Sequence, residues 1–221
     1  MSVSTAARVD TRKTLGYRAF HTLLHIIWIA LFRPRVIGRE KIPETGPILL
    51  APIHRSNIDF AFILFLTKRK TFFMGKDSLF RIPILGSLCT AMGAFPVKRG
   101  TADRESLETA QRILEAGEGL VLFPEGTRKE GMAVETLQNG AMFLASRTGA
   151  LVIPVGIGNT QRAMPKGAIF PRPVRVTIVI GDPIAVPMVD GRASRAAIAE
   201  STEHLRASLE SVYRQSMNAD N

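Results

Sequence analysis

Ile48-Leu49-Leu50-Ala51-Pro52-Ile53, an unbroken apolar run opened by Gly46-Pro47, passes directly into His54-Arg55-Ser56-Asn57-Ile58-Asp59 and then into the apolar FAFILFL of residues 60–66. Six apolar residues without polar alternation read as a strand covered on both faces, and the run after them as a buried helix. The polar cluster sits at the junction. On a helix, His54 and Asp59 would stand about 140° apart and share no face. A turn that folds Asp59 back would let its carboxylate hold one imidazole nitrogen, fix the tautomer and stabilise the protonated ring, leaving His54 as a general base. The same residues admit a structural reading, because Ser56-x-x-Asp59 ahead of an apolar run is the capping-box pattern of a helix start. On these residues alone both readings stay open.

Outward from this stretch, short apolar runs alternate with amphipathic ones. TFFMG (71–75), AFPV (94–97), GLVLFP (119–124), LVIPVGI (151–157) and VRVTIVIG (174–181) are strand candidates. Thr101 to Ala116 carries Leu107, Ala110 and Leu114 on one helical stripe and is stopped by Gly117 and Gly119. Residues 138–148 read as a helix, and Ala193 to Ser216 places Ile198, Leu205, Leu209 and Val212 on a stripe fit to cover a sheet. Strands alternating with helices, most of the strands continuously apolar, predict a single-domain α/β sandwich with a largely parallel or mixed sheet. In such sheets functional residues gather beyond the strands' carboxyl ends. His54, Lys76, Arg99 and Glu125 each follow a strand candidate within a few residues, so they are expected to converge on one cleft.

The 221-residue chain suffices for one well-buried domain. Its 46% hydrophobic and 22% charged residues exclude wholesale disorder. With 29 Lys and Arg against 19 acidic residues, the net charge of +10 calls for an anionic partner: a phospholipid surface, a phosphate-bearing small molecule or a nucleic acid. Aromatic residues at 7%, with no basic and aromatic interleaving on any strand, argue against nucleic acid. One cysteine, Cys89, rules out an internal disulfide framework and reads as core filler in LGSLCTAMG. No Cys/His group has zinc-site spacing, and His21 and His25, one turn apart, read as neighbours on a helix face.

Residues 1–35 are expected to form a basic and apolar membrane-association segment, and residues 36–221 the folded domain. LLHIIWIALF (23–32) follows Arg12, Lys13 and Arg18 and is closed by Arg33-Pro34-Arg35. As a helix it spans about 15 Å, half of a hydrocarbon core of about 30 Å, so it should not cross a bilayer. Phe20, Trp28 and Phe32 among aliphatics, with cations at both ends, suit a short interfacial helix drawn to anionic lipid. A helix packed on the domain's core is the structural alternative. The Arg-Pro-Arg end, with no small-residue cleavage site, argues against a secretory signal.

The remaining inventory lacks a Gly-rich nucleotide loop. Lys76, Arg99 and Arg128 offer instead the point charge and the bidentate forks that hold a phosphate ester. Four blocks then stand in order: His54-x4-Asp59; Gly93-Ala94-Phe95-Pro96-Val97-Lys98-Arg99; Phe123-Pro124-Glu125-Gly126-Thr127-Arg128; and Val152-Ile153-Pro154-Val155. Together they resemble the glycerolipid acyltransferases, most of all the bacterial 1-acylglycerol-3-phosphate acyltransferases, over roughly residues 36–182.

The resemblance implies transfer of an acyl group from acyl-CoA or acyl carrier protein, as co-substrate and with no cofactor, to the free hydroxyl of a lysophospholipid. His54 is then the base and Asp59 its orienter. Arg99, Glu125 and Gly126 are implied to bind the glycerol phosphate, with Lys76, Thr127 and Arg128 as further acceptor contacts and Pro154 on the acyl side. Two positions depart from the family's habit: Ile53 stands where Asn commonly precedes the histidine, and Arg55 replaces a frequent Gln or Lys. The expected setting is the cytoplasmic face of the cell membrane, with the protein peripheral or monotopic. Other acceptors, such as glycerol 3-phosphate or another lyso-lipid, would use much of the same site. A non-catalytic membrane-binding module of the same fold and a hydrolase using the dyad on water are the rivals, though a serine lipase would show the Gly-x-Ser-x-Gly elbow that is missing here. A covalent route through Ser56 is less apt than a role for Ser56 as a helix cap.

Overall fold

The apolar run at 48–52 lies at the centre of a mixed, mostly parallel sheet. The computed structural model describes residues 26–63, 66–67, 69–82, 86–87, 89–90, 93–97, 104–187 and 193–219. Within them, β1 (Arg35–Ile37), β2 (Ile48–Pro52), β3 (Thr71–Lys76), β4 (Ala94–Val97), β5 (Gly119–Val121), β6 (Leu151–Ile157) and β7 (Thr177–Ile180) join in the order β1-β7-β6-β2-β5-β3-β4. Strands β6, β2, β5, β3 and β4 are parallel to one another, β7 is antiparallel to β6, and β1 is parallel to β7. All five residues of β2 are buried, as a strand covered on both faces requires.

Helices among the described residues include α1 (residues 26–32), α2 (Asp59–Ile63), α3 (Asp77–Phe80), α4 (Arg104–Glu115), α5 (Gly140–Thr148), α6 (Thr160–Ala163) and α7 (Arg195–Asn218). The expected amphipathic stripes are the buried ones: Ala110 and Leu114 in α4, and Leu205, Leu209 and Val212 in α7. Ser194 starts α7 as an N-cap, its hydroxyl accepting from Ala197 N at 3.0 Å. Gly156 of β6 is where that helix crosses most closely. A Cβ built there would lie 2.4 Å from the carbonyl carbon and oxygen of Val212, backbone atoms that cannot move aside alone. We predict that Gly156→Ala costs about 1–3 kcal/mol of stability by overpacking, read as a lowered urea midpoint. An unchanged midpoint would mean that α7 does not sit this close.

Strand β1 is not foreseen by the sequence reading, in which Arg33-Pro34-Arg35 only closes the preceding helix. The edge strand forms because Arg35–Ile37 pairs with Thr177–Val179 of β7. VRVTIVIG is also trimmed, with Arg35 N donating to Val176 O and Val176 N to Phe32 O ahead of β7 proper. Helix α1 packs one face on the domain and leaves another exposed. Trp28 and Phe32 pack on Phe62 of α2, with ring centroids 4.7 and 5.3 Å from it, and Phe32 is fully buried. Ile26, Ile27 and Ile29 stay exposed. No helix among the described residues is long and apolar enough to cross a membrane. His21 and His25 lie outside the described residues.

One proline opens the cleft. The parallel ladder between β2 and β5 runs as far as Leu122 N donating to Leu50 O, and its next bond would need an N–H at residue 52. Pro52 has none, so β2 parts from β5 there while Ile53 N still donates to Val155 O of β6. The polar cluster begins in the resulting gap. Not every strand-end cation belongs to it: Arg69, just ahead of β3, spends its guanidinium on the carbonyls of Pro43, Gly46 and Gly117 at 2.6–2.9 Å.

Candidate active site

Asp59 does fold back. Its Oδ2 lies 2.9 Å from His54 Nδ1 and also accepts from the backbone N–H groups of Arg55 and Ser56, both at 2.7 Å. The two readings that compete in the sequence are therefore one structure. The bond to Ser56 N is the reciprocal half of a capping box, while the bond to Nδ1 makes the dyad. Because a carboxylate only accepts, Nδ1 carries the proton and Nε2 is left with a lone pair, the form a general base requires. The ring lies tilted by 32° against Phe123 with centroids 4.1 Å apart, and its side chain is 13% exposed. Ser56 is corrected in detail: its hydroxyl donates to Met164 O at 2.8 Å and caps nothing. That bond ties the β2 junction to the segment after β6.

Glu125, which the resemblance implies to be an acceptor contact, pairs with Arg55, and its carboxylate is wholly buried. Oε1 and Oε2 accept from Arg55 Nη1 at 2.8 and 2.7 Å, and Oε2 accepts from His54 N at 2.9 Å. Arg55, also fully buried, donates further to Gly131 O and Ala133 O and lies over the Tyr213 ring, 5.1 Å from its centroid. Burial pushes the Tyr213 phenol up from its ordinary pKa, and the nearby guanidinium opposes that shift. Lys129 N donates to His54 O at 2.9 Å, so the backbone of the histidine is gripped on both sides by the turn after β5. Gly126 makes that turn possible, with φ of +70° and its N–H donating to Phe123 O. Its Cβ would meet nothing closer than Gln138 at 3.7 Å, so the glycine answers to backbone conformation, not to space.

Thr127 and Arg128 are exposed and line a cavity of about 660 Å³ with Lys129, Arg162 and Lys166. Among the described residues no carboxylate pairs with Arg128 or Arg162, whereas Lys129 pairs with Glu135 and Lys166 lies 3.5 Å from Glu130. Arg162 and Lys166 escaped the sequence reading. The strand-end rule reaches them, since both follow β6, a strand parallel to β2 and next to it. Arg55 carried no comparable signal, because nothing local distinguishes an arginine that will be buried. Lys76 closes β3 in register with Val97. Arg99, two residues past the end of β4, lies outside the described residues. Pro154 sits in β6 opposite Ala51, and its carbonyl accepts from Gly181 N.

The imidazole and its carboxylate partner stand at the carboxyl end of a parallel strand, and Arg128 and Arg162, which no carboxylate pairs among the described residues, line the cavity that Arg55 also borders. Residues 33–158, more than half of the chain, match the family model described as Acyltransferase, and the chain belongs to that acyltransferase family. It is 29% identical over 159 residues to a chloroplastic 1-acyl-sn-glycerol-3-phosphate acyltransferase of Arabidopsis thaliana, covering 68% of this chain and 44% of the relative. It is 32% identical over 155 residues to one of Chlamydomonas reinhardtii, covering 67% and 46%. A 1-acyl-sn-glycerol-3-phosphate acyltransferase of the bacterium Borreliella burgdorferi is 27% identical over 146 residues, 65% of this chain and 58% of the relative. The chain thus spans about half the length of these curated relatives. The crystal structure of the 1-acyl-sn-glycerophosphate acyltransferase of Thermotoga maritima superposes with a TM-score of 0.70 at 25% identity, covering 90% of this chain and 76% of the other.

Proposed function

We propose that this protein transfers a fatty acyl group from an acyl thioester to the free hydroxyl of 1-acyl-sn-glycerol 3-phosphate, giving phosphatidic acid for phospholipid synthesis. The 2.9 Å bond between His54 Nδ1 and Asp59 Oδ2 carries this reading, because it leaves Nε2 as the base. The relatives named as 1-acyl-sn-glycerol-3-phosphate acyltransferases supply the substrate class. His54 takes the hydroxyl proton as the oxygen attacks the thioester carbonyl. The C–S bond then breaks, and the proton passes to the departing thiolate. The donor is acyl-CoA or acyl carrier protein, and no cofactor takes part. Arg128 and Arg162 hold the acceptor phosphate, with Lys166 close by. Lys76, Arg99 and Thr127 join them on the strength of the family resemblance, and Glu125 acts by positioning His54.

The acceptor is a lipid, so the protein works on a membrane surface, as a peripheral protein on the cytoplasmic face, with residues 1–35 contributing to attachment. The test is thiol release from palmitoyl-CoA on phosphatidylglycerol-containing vesicles, with and without 1-acylglycerol 3-phosphate. Release that depends on the acceptor is expected. Release without it would make the protein a thioesterase, and none with either carrier and any lysolipid would leave a membrane-binding module.

A further inference from the structure

The segment between β6 and β7 is built as a stapled loop with an apolar tip. Arg172 N donates to Ala163 O at 2.7 Å across its base, and Ala168 N donates to Pro165 O in the turn at its head. Pro165, Pro171 and Pro173 restrict its backbone. At the tip Ile169 and Phe170 are 81% and 80% exposed, the most exposed large apolar side chains among the described residues. Single exposed apolar residues are ordinary, but two adjacent ones held out from a tied loop are not. The surrounding charge is of one sign: residues 160–175 include Arg162, Lys166, Arg172 and Arg175 and not one Asp or Glu. Of these, Lys166 lies 3.5 Å from Glu130.

The topology sets this loop beside the catalytic end. Strands β1 and β7 run antiparallel to β6 and β2, so the segments leading into β1 and β7 emerge at the same end of the sheet as His54. The backbone bonds between residues 32, 35 and 176 bring the two segments together. Ile26, Ile27 and Ile29 of α1, 45–57% exposed, therefore share that end with Ile169 and Phe170. Ser56 in turn is bonded to Met164 at the start of the loop.

We infer that the loop at residues 164–175 is a second membrane contact, in which Ile169 and Phe170 enter the interface of an anionic bilayer while Lys166 and Arg172 meet its headgroups. The inference rests on the membrane-surface reading above and adds the orientation: the loop and α1 together turn the end of the sheet that carries His54 toward the lipid. An amphipathic contact of this kind penetrates about 5–10 Å, enough for two side chains and no more. Two weak contacts on one rigid body also reinforce each other, so each is expected to matter to binding.

The experiment uses the full chain and sedimentation with vesicles of phosphatidylcholine alone or mixed with phosphatidylglycerol. Ile169→Ser with Phe170→Ser should lower partition onto mixed vesicles about tenfold or more, with the thermal midpoint nearly unchanged because both side chains are largely exposed. Lys166→Ala and Arg172→Ala should each cost about fivefold on mixed vesicles only. Phe170→Trp should add emission that shifts to the blue on vesicle binding and is quenched by brominated lipid. Equal partition of the double serine variant and the wild type, with no quenching of the added emission, would overturn the inference while leaving the membrane reading intact. If the wild type binds neither vesicle, both fail. If the serine variant changes the oligomeric state and not the partition, the loop meets a second copy of this chain and the inference falls.

Discussion

His54→Ala should lower acceptor-dependent thiol release by about 10²–10⁴-fold, the usual contribution of a positioned acid or base, or about 3–5 kcal/mol of barrier. Folding should be unaffected, since the ring's contacts are to Phe123 and Asp59 and the backbone bonds to Glu125 and Lys129 do not depend on the side chain. Asp59→Asn is the sharper variant. An amide oxygen placed where Oδ2 stands still accepts from Arg55 N, Ser56 N and His54 Nδ1, so the turn and the tautomer are kept while the negative charge that stabilises the protonated ring is lost. A loss of about tenfold or more is expected, at nearly native stability. Thiol release at the wild-type rate in either variant would remove the dyad from the reaction, whatever the fold.

The second large effect belongs to the pair that the sequence did not disclose. Glu125→Ala strands the Arg55 guanidinium without a counter-charge in a site with no side-chain exposure, and it leaves His54 N without its acceptor. Breaking a buried pair by removing one partner costs about 3–5 kcal/mol, which urea unfolding would register directly. Replacing both partners, as in Arg55→Met with Glu125→Leu, removes the stranded charge and should recover much of that stability. Activity should not return with it, because the hydrogen bond that holds the histidine backbone is still missing. A contrary pattern is easy to recognise. Native stability in Glu125→Ala, with only the acceptor's KM raised, would mean that this carboxylate touches the acceptor, as the resemblance implied, and that the buried pair is not formed.

Why these two predictions differ in how they could be reached is a matter of distance along the chain. His54 and Asp59 are five residues apart, and a helix start at Asp59 is enough to bring them together. Local turn chemistry and apolar periodicity depend on near neighbours, so the dyad, the buried run at 48–52 and the stripes of α4 and α7 were legible in the residues themselves. Their alternation also determined the α/β class and placed the site at the strands' carboxyl ends.

Only the tertiary structure decided the rest. Arg55 and Glu125 lie seventy residues apart, and their burial depends on β2 and β5 becoming neighbours and on α7 bringing Tyr213 over the guanidinium. The same holds for Arg162 and Lys166, which join Arg128 because β6 docks on the other side of β2. It holds for β1, whose three residues are a strand only because β7 offers an open edge. A side chain's own chemistry says what it can bind; whether it faces solvent, substrate or a buried partner is set by long-range packing, which no stretch of neighbouring residues encodes.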